Sequence, residues 1–272
     1  MIGAIIGDMI GAPYEFDQGD KTKDFPLWGR RSQFTDDSVM SLAVAEALLE
    51  AGDCEESEFK RVLIYSMRHW GRNYPYAGYG AMFIHWLADR DPQPYWSYGN
   101  GSAMRVSPAG WFYPTIERTR EAARWTAEVT HNHPEGVKGA EAVASAIFLS
   151  RKGETKEDVK AYIEREFGYS LSRTCDEIRP AYRHVESCQE TVPEAVTAWL
   201  EGADFEDVIR TAVSLGGDCD TLTCIAGGMA EASYGVPEAI RTEAEKRLTH
   251  ELRDVLLRFE RKAAERIEGG LA

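Results

Sequence analysis

The clearest structural signal in the chain is the stretch 34–52, which reads F-T-D-D-S-V-M-S-L-A-V-A-E-A-L-L-E-A-G. Apolar residues recur in it at three-to-four spacing, and this is the period of a helix with one buried face. Gly52 is a typical helix stop. The stretch therefore predicts a helix over residues 39–51 that begins directly after an acidic cluster.

The same period continues along the chain. Apolar residues from Phe59 to Trp70 predict a second helix that is closed by Gly71. Further amphipathic stretches lie at about 117–129, 137–150, 155–167, 193–201, 205–214 and 237–269. Thr155 and Asp204 stand where N-caps are expected, and Pro193 suits a first helical turn.

Strand signals are weak, because no convincing alternating run is present. Residues 72–116 are the least periodic, and they are rich in Tyr, Trp, Gly and Pro. No repeat or Pro/Ser-rich linker divides the chain. The sequence therefore predicts one all-α domain over residues 1–272, with a single long irregular segment.

Composition narrows the class of protein. The 272 residues are 43% hydrophobic and 28% charged, which are values of a globular chain. Lys and Arg number 31 against 45 Asp and Glu, for a net charge of −14. This balance argues against extended nucleic acids or anionic membranes as partners, because both require a surplus of basic residues.

Cysteine usage and the N-terminus predict a cytoplasmic location. The five cysteines are widely spaced and form no CxxC pair, so we expect reduced thiols rather than disulfides or a zinc site. The N-terminus has no basic segment before its apolar stretch, which Asp8 interrupts, so no signal peptide is expected. No run of about 18 apolar residues is present, so no membrane span is expected.

Two acidic clusters precede predicted helices. Thr35-Asp36-Asp37 stands before residues 39–51, and Asp218-Cys219-Asp220-Thr221 stands before an apolar, Gly-rich stretch. Helix capping explains either cluster alone. If the two clusters meet, four carboxylates match the charge of two divalent cations. Oxygen ligands of this kind suit Mg²⁺, Mn²⁺ or Ca²⁺ and leave positions for water and substrate.

Three other segments contain residues that suit either a structural or a functional role. Glycines at positions 3, 7 and 11 would lie on one helix face and permit close packing, and Glu15 after them suits a solvated loop or a site equally. The loop 98–105 offers backbone amides that suit an anion, although such loops are often simple turns. Of His131 and His133, one is expected to contact a sugar or phosphate and the other to be structural.

Five motifs together resemble the ADP-ribosylglycohydrolase family, which includes the dinitrogenase-reductase-activating glycohydrolases. In chain order they are G-A-I-I-G-D-M-I-G-A-P-Y-E at 3–15, F-T-D-D-S at 34–38, Y-G-N-G-S-A-M-R-V-S-P at 98–108, T-H-N-H-P-E-G at 130–136 and S-L-G-G-D-C-D-T at 214–221. Each motif is short, but the ordered set is specific.

The resemblance implies a single orthogonal helical bundle whose cleft holds two Mg²⁺ ions, or Mn²⁺, together with ADP-ribose. The metal ligands that it implies are Thr35, Asp36, Asp37, Asp218, Asp220 and Thr221. Glu15 falls where some members of the family carry an acid that gates or assists the site, and Glu15, Asp36 and Asp37 are the candidate catalytic carboxylates, with the choice of base among Glu15 and the Asp residues left open. The substrate contacts that it implies are Gly99, Asn100, Gly101, Ser102, Met104 and His133. Tyr182 is a candidate to stack on the adenine.

The expected activity is therefore Mg²⁺-dependent hydrolysis of the glycosidic bond between ADP-ribose and a modified acceptor. The expected partner is ADP-ribose or an ADP-ribosylated substrate. Two alternatives remain open at this stage: a non-catalytic ADP-ribose-binding protein, and a two-metal hydrolase of another nucleotide.

Overall fold

Fifteen α-helices make up most of residues 1–269, the part of the chain that the computed structural model describes. They are α1 (Ile2–Gly11), α2 (Asp36–Ala51), α3 (Glu56–Asn73), α4 (Ala81–Ala88), α5 (Gly101–Met104), α6 (Ser107–Phe112), α7 (Ile116–Glu128), α8 (Pro134–Arg151), α9 (Lys156–Phe167), α10 (Cys175–Ile178), α11 (Cys188–Glu201), α12 (Phe205–Val213), α13 (Cys219–Tyr234), α14 (Glu238–Arg247) and α15 (His250–Gly269). A 3-10 turn, Ala12–Tyr14, follows α1.

The predicted all-α class is confirmed. About 67% of the chain is helical, and the described residues contain no strand or sheet. The predicted domain of residues 1–272 ends at residues 270–272, which lie outside the described residues. Within residues 1–269 nearly all buried apolar side chains belong to one continuous cluster that reaches from Met1 to Ala263.

Helix starts follow local capping chemistry. The predicted N-caps Thr155 and Asp204 are confirmed, and each accepts a hydrogen bond from a backbone N–H in the first turn of its helix. Helix α2 begins three residues before the predicted position 39, because the hydroxyl of Thr35 accepts a hydrogen bond from the N–H of Asp37. The acidic cluster is thus the first turn of this helix.

Two helix predictions are wrong in their bounds. Pro193 lies inside α11, which begins at Cys188, and not in its first turn. The N–H that proline lacks would have bonded the carbonyl of Gln189, an exposed residue near the helix start, so water can satisfy that carbonyl. The second predicted helix continues past Gly71 to Asn73.

The segment 72–116 is less irregular than predicted. It contains the three short helices α4, α5 and α6, which are joined by extended stretches. Their shortness explains why helical periodicity was hard to detect, because a helix of four to eight residues completes at most about two turns.

Helices α1 and α13 pack unusually close to each other, as the glycine spacing predicts. All ten residues of α1 are buried. A Cβ atom on Gly7 would lie 2.1 Å from the carbonyl oxygen of Thr223, and one on Gly11 would lie 2.5 Å from that of Cys219. This contact brings the end of α1, and the segment that follows it, to the first residues of α13.

The cysteines and the length of the helices agree with what the sequence predicts. All five cysteines are free, and four of them are buried. None of the helices within residues 1–269 combines the length and the apolar character that a membrane crossing requires.

Candidate metal and substrate site

A cleft of about 480 Å³ opens where the first turns of α2 and α13 face each other. Its lining includes acidic and hydroxyl side chains from both predicted clusters and from the segment after α1, namely Glu15, Asp36, Asp37, Asp218, Asp220 and Thr221. The two clusters therefore meet in space, and this was the condition on which the predicted divalent-cation site depended.

The contacts between the clusters are direct. The hydroxyl of Thr221 donates to a carboxylate oxygen of Asp37 over 3.3 Å. Glu15, Asp218 and Asp220 each place one carboxylate oxygen within 4.8 Å of the others, an arrangement that could hold a metal ion. Glu15, which the sequence left undecided, thus lies beside the second cluster.

Asp8 organises the first cluster from behind. Its carboxylate accepts hydrogen bonds from the N–H and hydroxyl of Thr35, at 2.9 and 2.7 Å, and from the N–H of Ser38 at 3.0 Å. The hydroxyl of Ser38 donates to it as well. The sequence offered one signal for this role, since Asp8 is an acid within an otherwise apolar stretch, but its partners lie about thirty residues away.

Thr35 is therefore largely a structural residue. Its hydroxyl proton is donated to Asp8, and the residue is absent from the cleft lining. Only the remaining lone pair of the hydroxyl oxygen would be free for a cation.

The second cluster is shaped by two glycines and an amide. Gly216 and Gly217 have φ angles of +72° and +79°, a backbone region that favours glycine. They turn the chain so that α13 starts with Asp218 facing the cleft. The side-chain amide of Asn100 donates to Asp218 over 2.6 Å and to the hydroxyl of Thr191 over 3.1 Å.

Asn100 therefore orients a carboxylate of the acidic cluster. We expect Asn100→Ala to weaken divalent-cation binding by about 10- to 100-fold, the usual cost of losing a group that orients a metal ligand. Isothermal titration calorimetry with Mg²⁺ measures this change. Gln93→Ala, an exposed amide outside the cleft, is the control. An unchanged Mg²⁺ affinity in Asn100→Ala would show that Asp218 needs no such support.

The electrostatics of the cleft favour a cation. Burial, together with the neighbouring carboxylates, raises the pKa of Asp36, Asp37 and Asp220 well above the usual value. Burial, and then the charge of Asp220, raises the pKa of Glu15 to about 7. One oxygen of Asp37 is buried without a hydrogen-bond partner. A divalent ion would neutralise this repulsion and satisfy that oxygen, so the residues present fit a metal.

The predicted substrate residues divide into two groups. Gly99, Asn100, Gly101 and Met104 line the cleft. Ser102 does not, because its buried hydroxyl donates to the carbonyl of Gly136 over 2.7 Å. Its position favours a role in shaping the loop.

The two histidines lie in different surroundings. His133 is outside the cleft lining, where its Nδ1 accepts from the N–H of Glu135 and caps α8. His131 lines the cleft, with Nδ1 2.7 Å from the hydroxyl of Thr130. Burial lowers the pKa of His131 well below its usual value, so the ring is neutral. The i, i+2 pattern carried no information about which ring faces inward.

Tyr182 is also outside the cleft lining. Its ring is 9% exposed and packs on the backbone of Gly217, where an added Cβ atom would lie 2.5 Å from it. The aromatic rings that do line the cleft are those of Phe16, Tyr79, Phe83 and Tyr95.

The fold and the cleft together define a class: an all-α protein with an acidic cluster, able to hold a metal ion, between two helix starts. The chain belongs to the ADP-ribosylglycohydrolase family, whose model matches residues 1–270. The resemblance found in the motifs is thereby confirmed.

Similar proteins include the ADP-ribosylarginine hydrolase Tri1 of Pseudomonas putida, which is 26% identical over 87% of this chain and 70% of its own length. The ADP-ribosylhydrolase ARH3 of Bos taurus is 26% identical over 90% of this chain and 87% of its own. A solved ADP-ribosylglycohydrolase-related protein complex has a TM-score of 0.73 at 24% identity, and the match covers 96% of this chain and 95% of that one. This last likeness shows the fold.

Proposed function

We propose that the protein hydrolyses the glycosidic bond between ADP-ribose and a modified acceptor, and that it requires divalent cations, Mg²⁺ or Mn²⁺. The observation that carries this proposal is the meeting of Glu15 with both acidic clusters in one cleft of an ADP-ribosylglycohydrolase-family fold. The names of its relatives, an ADP-ribosylarginine hydrolase and an ADP-ribosylhydrolase, support the choice of substrate.

Two cations would be held by the five cleft-lining side chains Asp36, Asp37, Asp218, Asp220 and Thr221, and Thr35 would add only the remaining lone pair of its hydroxyl oxygen. When bound, the cations supply positive charge that draws sugar and water oxygens into a fixed orientation. The unpartnered oxygen of Asp37 supports this assignment, and so does the close approach of Thr221 to Asp37.

The remaining chemistry falls to the residues of the chain. A carboxylate accepts the proton of the attacking water and returns it to the acceptor as the glycosidic bond breaks, and Glu15, Asp36 and Asp37, which line the cleft, are the proposed candidates. The carboxylates also stabilise the positive charge that develops at the anomeric carbon. In the loop Gly99–Gly101, the N–H of Gly101 is the candidate to contact the diphosphate, because the N–H groups of Gly99 and Asn100 donate to Ser97 and to the carbonyl of Glu186.

The free thiols and the net charge of −14 indicate the compartment and the kind of partner that we propose for this protein. We propose a cytoplasmic protein, since unpaired cysteines are typical of reducing compartments. Its partner would be a single ADP-ribosyl group and not an extended nucleic acid, because long polyanions require many basic contacts.

A panel of defined substrates tests the proposed function. Arginine-linked and serine-linked ADP-ribosyl peptides and ADP-ribosylated nucleic acids are incubated with Mg²⁺ or with EDTA, and released ADP-ribose is measured. We expect release from at least one acceptor with Mg²⁺, and a loss of at least about 100-fold with EDTA, which is restored by added Mg²⁺. Undiminished release in EDTA would contradict the metal requirement.

A non-catalytic ADP-ribose-binding protein is the second candidate. It would bind ADP-ribose tightly in calorimetry and release nothing from any acceptor. The acidic cleft argues against it, because grouping five carboxylates, three of them buried, is unfavourable and is unnecessary for binding a diphosphate.

A further inference from the structure

The turn after the 3-10 helix has a strained backbone. Phe16 and Asp17 have φ angles of 58° and 56°, in the left-handed region that residues other than glycine seldom adopt. Both residues are exposed, and Phe16 has 59% of its surface open to solvent, so apolar burial does not hold the turn in place. Such a conformation persists only where other contacts fix it.

The carboxylate of Asp17 supplies the shortest of those contacts, beside a longer bond of 3.5 Å from the backbone N–H of Asp17 to the carbonyl of Gly217. One oxygen accepts from the backbone N–H of His184 over 2.9 Å, and the other accepts from the backbone N–H of Gly217 over 3.0 Å. Burial acts to raise the pKa of Asp17, but these two hydrogen bonds lower it overall. The carboxylate is therefore charged at neutral pH, and its hydrogen bonds are of the stronger, charge-assisted kind.

The three segments that meet at Asp17 all belong to the cleft. Glu15 lies two residues before Asp17 and lines the cleft. Gly217 directly precedes Asp218 of the second acidic cluster. His184 also lines the cleft, and its ring packs against that of Phe16 at a tilt of 34° with a centroid distance of 4.7 Å.

We propose that Asp17 is a positioning residue, whose carboxylate ties the Glu15 turn to the Gly217 and His184 segments and so holds Glu15 beside Asp218 and Asp220. This inference rests on the proposed function for its activity readout. Asp17 does not line the cleft, so its role is positioning and not catalysis.

A second anchor of the same turn offers a matched control. The ammonium group of Lys21 donates to the carbonyl of Arg179 over 3.1 Å and also to that of Tyr182. Lys21 thus ties the turn to the neighbouring part of the chain, without a bond to the residues that flank Asp218. The variant Lys21→Met therefore measures the effect of loosening the turn while the hydrogen bonds of the Asp17 carboxylate are kept.

Two substitutions of Asp17 separate hydrogen bonding from backbone strain. Asp17→Gly removes both acceptors while it favours the left-handed backbone. Asp17→Asn keeps one acceptor oxygen and tolerates that backbone. If Asp17 served only to adopt the left-handed backbone, Asp17→Gly would be at least as active as the native protein. If its hydrogen bonds position Glu15, activity should fall in both variants, and it should fall further in Asp17→Gly than in Asp17→Asn.

The experiment compares Asp17→Gly, Asp17→Asn and Lys21→Met with the native chain. Readouts are kcat and KM for ADP-ribose release, Mg²⁺ affinity by calorimetry, and hydrogen exchange of the amides of His184 and Gly217. For Asp17→Gly we expect kcat and Mg²⁺ affinity to fall by at least about tenfold, with lost amide protection and KM changed less than about threefold. Asp17→Asn should recover part of each loss, and Lys21→Met should keep kcat within about twofold.

Asp17→Gly with native kcat and native Mg²⁺ affinity overturns the inference, as does an equal loss in Lys21→Met. If the native protein releases no ADP-ribose from any acceptor, the proposed function fails separately. The positioning role of Asp17 is then tested by Mg²⁺ affinity and amide protection. A fall of both in Asp17→Gly but not in Lys21→Met supports this role, and native values of both in Asp17→Gly overturn it.

Discussion

Asp220→Asn is expected to lower the rate of ADP-ribose release by at least about 100-fold, as is typical when one charged group of a catalytic centre is lost. Asp220 belongs both to the carboxylate group that includes Glu15 and Asp218 and to the proposed cation ligands. The substitution keeps the shape of the side chain and removes one negative charge, so the loss reports on charge and not on packing.

The same variant should gain stability in EDTA. Without a cation, burial and then the charges of Asp218 and Asp8 raise the pKa of Asp220, so replacing this carboxylate removes the cost of burying its charge and relieves repulsion. The melting temperature in EDTA should be equal to or above that of the native chain, and its rise on adding Mg²⁺ should shrink. Thermal melts with and without Mg²⁺ measure both effects.

Asp204→Asn is the matched control for this variant. Asp204 also stands at a helix start, where it caps α12 by accepting from the N–H of Asp207 over 2.9 Å, but it is outside the cleft. Asparagine caps about as well as aspartate. Release should therefore be unchanged in Asp204→Asn. If Asp220→Asn released ADP-ribose within about threefold of the native rate, the acidic cluster would not be the working centre.

Gly7→Ala is expected to lower the free energy of unfolding by about 3 kcal/mol, at the upper end of the usual cost of overpacking. The added methyl group would lie 2.1 Å from the carbonyl oxygen of Thr223 and 2.8 Å from the N atom of Cys224. These are backbone atoms of α13, so no side chain can move aside, and the two helices must separate.

Chemical denaturation measures the loss in Gly7→Ala, and Gly80→Ala is the control. Gly80 has no atom within 4 Å of its would-be Cβ, so that variant should lose less than about 1 kcal/mol, the cost of a poorer N-cap. Gly7→Ala should also bind Mg²⁺ less tightly, because α1 carries Asp8 and α13 carries Asp220. A Gly7→Ala protein as stable as the native chain would show that the α1–α13 contact is loose.

The helical class and many helix starts could be predicted from local signals. Thr155 and Asp204 act as caps through atoms within three residues, so the sequence around them contains the whole interaction. Pro193 shows the limit of local signals. Proline usually occupies the first turn of a helix, but Pro193 lies further inside α11, where the carbonyl that loses its N–H partner belongs to the exposed residue Gln189.

The candidate site was only partly predictable for a related reason. The residue types in the two acidic clusters are visible in the sequence, but their meeting depends on contacts between residues 184 positions apart. The supporting roles of Asp8 and Asn100 depend on partners about 30 and 118 positions away, and no local pattern indicates them. Similarly, only the folded chain distinguishes His131, which faces the cleft, from His133, which caps a helix.

The identity of the product tests the central proposal most directly. The native protein is incubated with Mg²⁺ and an arginine-linked or serine-linked ADP-ribosyl peptide, and the products are identified by mass spectrometry. Hydrolysis at the anomeric carbon yields intact ADP-ribose and the unmodified peptide, and this is the result that we predict. AMP with a peptide that keeps a phosphoribosyl group would mean attack on phosphorus, and it would contradict a glycosidic-bond hydrolase in favour of a two-metal nucleotide hydrolase.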